Sequence, residues 1–217
     1  MTQSTTEATQ IALQYLIREP KTKTGNRKAL ILLHGVGSNE ADLISLSDHL
    51  PDDLYVISPR GPLTLGAGRY AWYNVDFSTG KPAFNQQEEQ SSRKLIIDFI
   101  RQVKQLYNLR EIYIGGFSQG GIMSYSIGLT HPDEISGVLS LSGRLLQEVK
   151  PLVQVNDSLR KLKVFIAHGT ADRTLSVGYA HDAKQYLENL GIQLTYREYP
   201  IGHEISNEVL TDMIKWI

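Results

Sequence analysis

The sequence predicts an α/β fold, with a mostly parallel central sheet and helices on both faces. Two patterns point there: short apolar runs that do not alternate with polar residues, and longer segments of helical spacing between them. Composition agrees, since 41% hydrophobic and 21% charged residues over 217 positions suit one sizeable core. Residues 1–10 read as a polar tail and 11–217 as a single domain.

The strands are expected at 28–34 (KALILLH), 54–58 (LYVIS), 111–115 (EIYIG), 137–141 (GVLSL), 163–167 (KVFIA) and 193–198 (QLTYRE), with 11–17 as an added edge strand. Continuous apolar runs of this length fit parallel strands covered on both faces. Ser38 is the expected cap of a helix over 39–50. In 88–106 and just beyond it, Ile96, Phe99, Ile100, Val103 and Tyr107 form one apolar stripe at helical spacing. Further helices are expected at 119–130, 177–189 and 205–217. The connection 59–84 is long, has no clear period, and carries Tyr70, Trp72, Tyr73, Phe77 and Phe84. A long loop rich in aromatics in a compact domain reads as a wall of a binding site.

Composition also narrows the function. The net charge is −1 with both signs evenly spread, which argues against a nucleic-acid partner. Cysteine is absent, so disulfides, thiolate metal sites and a cysteine nucleophile are excluded. The first ten residues lack the basic and apolar regions of a secretory signal, and no apolar run is long enough to cross a bilayer. The expectation is a cytoplasmic protein without stable membrane insertion. The six histidines show no helical pairing and no HExxH, and no glycine motif fits a nucleotide, so neither metal nor cofactor is expected.

The strongest motif is GGFSQGG at 115–121, directly after one expected strand and before an expected helix. A serine on a tight strand-to-helix turn adopts strained backbone angles that push its oxygen out of the sheet, and glycines beside it avoid collisions. A bare G-x-S-x-G arises by chance in roughly one chain of this size in ten or twenty, so the flanking elements add most of the weight. A serine nucleophile needs a base and a group that orients the base, here in the order Ser, Asp or Glu, His. His203 follows the last expected strand, whereas His181 falls inside an expected helix and reads as a solvated surface residue. Asp172 follows the 163–167 strand, whereas Asp133, Asp157 and Asp182 read as turn, cap or helix residues. Ser118, Asp172 and His203 are therefore the candidate nucleophile, orienting acid and general base. The oxyanion donors are expected to be the backbone N–H groups of Gln119 and of Val36, in the loop LHGVGS. His34 and His168 read as histidines hydrogen-bonded within their loops rather than proton carriers.

The blocks LLHGVGSN, SPRGP, GGFSQGG, GVLSLSG, HGTADRTLSV and YPIGHEIS resemble the phospholipase/carboxylesterase group of α/β hydrolases, from about residue 28 to the end. The resemblance implies the same triad and the same two donors, and it places Trp72 near the site. Two departures stand out: 59–71 has its own sequence around SPRGP, and 143–162 is too short for a large cap domain. A lipase activated by lid opening is thereby disfavoured. The expected function is a serine carboxylesterase acting on short- to medium-chain esters through an acyl-enzyme. Trp72, Tyr73, Leu63 and Leu65 are its expected substrate-binding residues. Thioester and lysophospholipid hydrolysis stay open, as does a homodimer. Peptidase or dienelactone-type activity ranks next, and the competing class is a non-catalytic binder on the same fold.

Overall fold

The computed structural model describes residues 11–22, 25–76, 78 and 82–217, so the polar tail and Phe77 lie outside the described residues. Seven strands form the central sheet: β1 (Tyr15–Arg18), β2 (Lys28–Leu33), β3 (Leu54–Pro59), β8 (Glu111–Phe117), β9 (Gly137–Leu141), β10 (Lys163–Gly169) and β11 (Gln193–Tyr199). Their spatial order is β1-β3-β2-β8-β9-β10-β11. Every pair is parallel except β1 with β3, so the added edge strand is antiparallel and lies at 15–18 rather than 11–17. The β8 and β10 strands each run two residues past the apolar pattern, which carries their carboxyl ends toward the site.

Successive residues of each strand enter different apolar layers, as the pleat requires. On one face Ile31, Leu33, Ile112, Ile114, Val138, Val164 and Ile166 pack with α2 (Gln86–Leu106), α3 (Gln119–Thr130) and α5 (Gly178–Asn189). On the other, Leu30, Leu32, Tyr113, Leu139, Phe165 and Ala167 pack with α1 (Glu40–Ile44) and α6 (Asn207–Trp216). The stripe of α2 does as its spacing predicts: Ile96, Phe99, Ile100 and Val103 are fully buried. Asn85 caps this helix by accepting from the Gln87 and Glu88 N–H groups.

Three local expectations need correction. The cap of α1 is Asn39, whose side chain accepts from Ala41 N–H, while the Ser38 hydroxyl donates to Asp42 instead. A one-turn helix, α4 (Asp157–Lys161), follows its cap Asn156; Asp157 is its first residue. The connection 59–84 folds into two small antiparallel pairs, β4 (Leu63–Gly66) with β5 (Arg69–Ala71) and β6 (Val75–Asp76) with β7 (Ala83–Phe84). Strands of two to four residues leave no readable period. Between β9 and β10 the chain forms only a short 3-10 turn and α4, so no cap domain covers the sheet.

Candidate active site

The carboxyl ends of β2, β8, β10 and β11 converge on one cleft. Ser118 follows β8 with φ 54° and ψ −116°, outside the regions open to ordinary L-residues. The turn is possible because Gly116 and Gly120 have no side chains. A Cβ on Gly120 would stand 1.8 Å from the Leu33 carbonyl oxygen, and one on Gly116 would stand 2.5 Å from the same oxygen. The glycines of G-x-S-x-G thus let β2, β8 and α3 approach each other while Ser118 is held out at the elbow.

Ser118 Oγ lies 2.9 Å from His203 Nε2, and His203 Nδ1 lies 2.6 Å from Asp172 Oδ2. A carboxylate only accepts, so Nδ1 carries the proton and Nε2 accepts from the serine hydroxyl. The other oxygen of Asp172, Oδ1, accepts from the Thr174 and Leu175 N–H groups, each at 2.8 Å. Two backbone donors on Oδ1 fix the carboxylate so that Oδ2 faces the imidazole. The Asp172 side chain is fully buried, while that of His203 keeps 19% exposure. The Phe117 ring packs against His203, with centroids 4.7 Å apart.

Gln119 and Val36 flank the serine. Among the described residues neither backbone N–H donates to a protein acceptor. The loop that carries Val36 is held from several sides. Gly37 N–H donates to Tyr70 O and Tyr70 N–H to Ser38 O, each at 2.8 Å. His34 Nδ1–H donates to Gly35 O, and its Nε2 accepts from Gly61 N–H. Burial lowers the His34 pKa, so the ring stays neutral and keeps this one-donor, one-acceptor arrangement. His168 is likewise buried with a lowered pKa, caused first by desolvation; its Nε2–H donates to Leu175 O at 2.7 Å, and Nε2 lies 3.4 Å from Asp172 Oδ2.

The cleft encloses ≈ 240 Å³ and is mainly apolar, with Tyr73, Val75, Phe117, Ile122 and Leu175 in its walls. Of the four residues expected to bind substrate, Tyr73 lines it and three do not. Trp72 is fully buried beneath the cleft: its Nε1–H donates to His34 O, its backbone N–H to Gln119 Oε1, and its carbonyl accepts from Ser92 Oγ. Trp72 therefore ties the Val36 loop, through its indole, to the elbow, through its backbone N–H. Leu63 lines a separate shallow cavity over α2, and Leu65 is 42% exposed. Both sit on β4, and neither lines the cleft beside Ser118. Sequence reasoning missed Arg144, which lines the cleft after β9. An arginine between glycine and two leucines, in SGRLL, is the signal that was present.

Comparison with known proteins agrees with this architecture. The chain is 27% identical to acyl-protein thioesterase 1 of Candida albicans over 93% of its own length and 95% of that protein's. It is 26% identical to carboxylesterase SOBER1 of Arabidopsis thaliana over 76% of its length and 75% of that protein's. Among solved structures, a carboxylesterase from Mesorhizobium loti superposes with a TM-score of 0.82 at 21% identity, covering 96% of this chain and 95% of that one. The Bacillus cereus carboxylesterase gives 0.80 at 22%, covering 94% and 92%; at such identities the likeness is one of fold. The sequence profile of the Phospholipase/Carboxylesterase family matches residues 15–217. With nearly the whole chain inside that match, the protein belongs to the phospholipase/carboxylesterase family of the α/β-hydrolase fold.

Proposed function

We propose that the protein is a serine carboxylesterase in which Ser118, His203 and Asp172 are the catalytic triad. The observation that carries the assignment is the hydrogen-bonded line from Ser118 Oγ through His203 to Asp172, opening into an apolar cleft. Ester or thioester hydrolysis is the chemistry of its family. The residue roles and the acyl-chain range are our reading.

Ser118 Oγ attacks the carbonyl carbon as its proton passes to His203 Nε2, and Asp172 Oδ2 stabilises the imidazolium through Nδ1–H. The developing oxyanion takes the free N–H groups of Val36 and Gln119, each of which is worth on the order of 100- to 1000-fold in turnover. The alcohol or thiol departs with the proton from His203. Water then attacks the acyl-enzyme with His203 as base, releasing the acid and restoring the serine. A cleft of ≈ 240 Å³ without a cap suits short- to medium-chain acyl groups.

The test is hydrolysis of p-nitrophenyl esters from acetate to palmitate by the wild type and Ser118→Ala. Activity on the shorter members, reduced on the order of 10⁴-fold or more in the variant, supports the assignment. A folded wild type inert on every ester, or a variant that keeps its rate, overturns it.

A further inference from the structure

The cleft contains a cation that the ester chemistry leaves unused. Arg144 follows β9 and borders the cleft together with Ser118, Val75 and Ile122. One Nη2–H donates to Pro82 O at 3.1 Å, and the guanidinium carbon lies 5.8 Å from the Phe84 ring centroid and 5.6 Å from that of Tyr179. Its Nε is buried and has no acceptor. Among the described residues no carboxylate forms an ion pair with it. Glu148 and Asp182 line the cavity on its other side without reaching that distance.

A guanidinium has five N–H donors in a planar fork that matches a carboxylate or phosphate. Here two aromatic rings and one carbonyl fix its position, and most of its donors are unspent. A half-buried cation with no counterion, facing an apolar cleft, is unfavourable until an anion arrives. The cleft's carboxylate, Asp42, follows β2, and its Oδ2 accepts from Ser38. Asp42 lies on α1 after β2 and Arg144 lies after β9, and β8, which leads to the nucleophile, stands between those two strands in the sheet. An anionic substituent is repelled from one flank and attracted to the other.

We propose that the enzyme prefers esters whose acyl chain ends in an anionic group, a carboxylate or phosphate a few carbons from the reacting carbonyl, with Arg144 as the specificity-determining residue. This rests on the ester-hydrolase reading above. The hydrolysis itself is unchanged: water cleaves the ester, and the second anionic group takes no part in bond making.

The experiment compares kcat/KM for the mono-p-nitrophenyl ester of glutaric acid with that for p-nitrophenyl valerate, and for the phosphonate-ended analogue of the same length. The wild type is expected to favour at least one anionic ester by about tenfold or more, and Arg144→Met to reduce that ratio by about 10- to 100-fold. Arg144→Lys should recover part of it. Preference for the carboxylate or for the phosphonate identifies which anion the site takes. If Arg144→Met does not fold, inhibition of wild-type valerate hydrolysis by the monoamide of glutaric acid, compared with pentanamide, reads the same preference and should favour the anion about tenfold. Ser118-dependent hydrolysis of the valerate ester with no anion preference overturns the Arg144 proposal alone. No hydrolysis of either ester overturns the reading beneath it as well.

Discussion

On the β10–β11 side of the cleft, polar atoms hold two side chains in line; on the β2 side and in the 59–84 connection, they hold backbone to backbone. Asp172 receives two N–H bonds on one oxygen so that the other meets His203. The side chains of Trp72, Gln119 and His34 instead join three loops. In the proposed mechanism the first region places a proton path within tenths of an ångström, and the second keeps two backbone donors still. Both are preorganisation, reached through different groups.

The largest effect that sharpens this contrast is expected from Asp172→Asn. The amide keeps the shape but cannot oblige His203 Nδ1 to carry the proton, so kcat should fall on the order of 10⁴-fold with the urea midpoint nearly unchanged. Steady-state hydrolysis of a short ester beside an unfolding curve measures both. A loss of only a few fold would mean that the two backbone donors, not the carboxylate charge, do the positioning.

On the other side the order reverses, with stability lost first. Trp72→Ala empties a fully buried site and removes the Nε1–H bond to His34 O. A cost of about 3–5 kcal/mol is expected, visible in urea unfolding, with kcat reduced through displacement of the Val36 loop. Were stability unchanged and only KM for long acyl chains raised, Trp72 would be a cleft residue after all.

This pair also shows what was legible in the sequence. Ser118, Asp172 and His203 could be read as neighbours because each sits at a strand end, and strand ends are announced by apolar runs, glycines and chain order. The sheet was legible for the same reason, since both faces are covered and the runs are continuous. Trp72 was legible as an aromatic near the site, but which way an indole points depends on where His34 O and Gln119 come to rest. Asn39 and Ser38 are both good caps and adjacent in sequence, so only the backbone could choose between them. The hairpins of 59–84 and the one-turn α4 are too short for any period to appear.

A smaller effect is read by pH from the buried histidines, one in each region. His34 and His168 are buried and neutral, their pKa lowered from 6.5 chiefly by desolvation. Below that value the unfolded chain binds protons that the native state refuses, so stability is complete above it and falls as the pH drops. The slope is up to about 1.4 kcal/mol per pH unit for each such histidine. Unfolding curves at about pH 7.5 and about pH 5.5 should show this decline, with a flatter slope in His34→Gln. An unaltered slope would remove His34 from the groups that keep the wall neutral.

The smallest effect tests where the cleft ends. Leu65 stands exposed on β4, and Leu63 lines a cavity over α2 rather than the one beside Ser118. Leu65→Ala should therefore change stability by less than about 0.5 kcal/mol. It should also leave the relative kcat/KM values across the p-nitrophenyl ester series where they were, because β4 contributes no residue to the cleft beside Ser118. A selective loss on the longer esters would show that bound substrate runs along this hairpin, and the boundary would move outward from the walls formed by Tyr73, Val75 and Ile122. The comparison would then be redrawn: the 59–84 connection would both hold the Val36 loop and carry substrate.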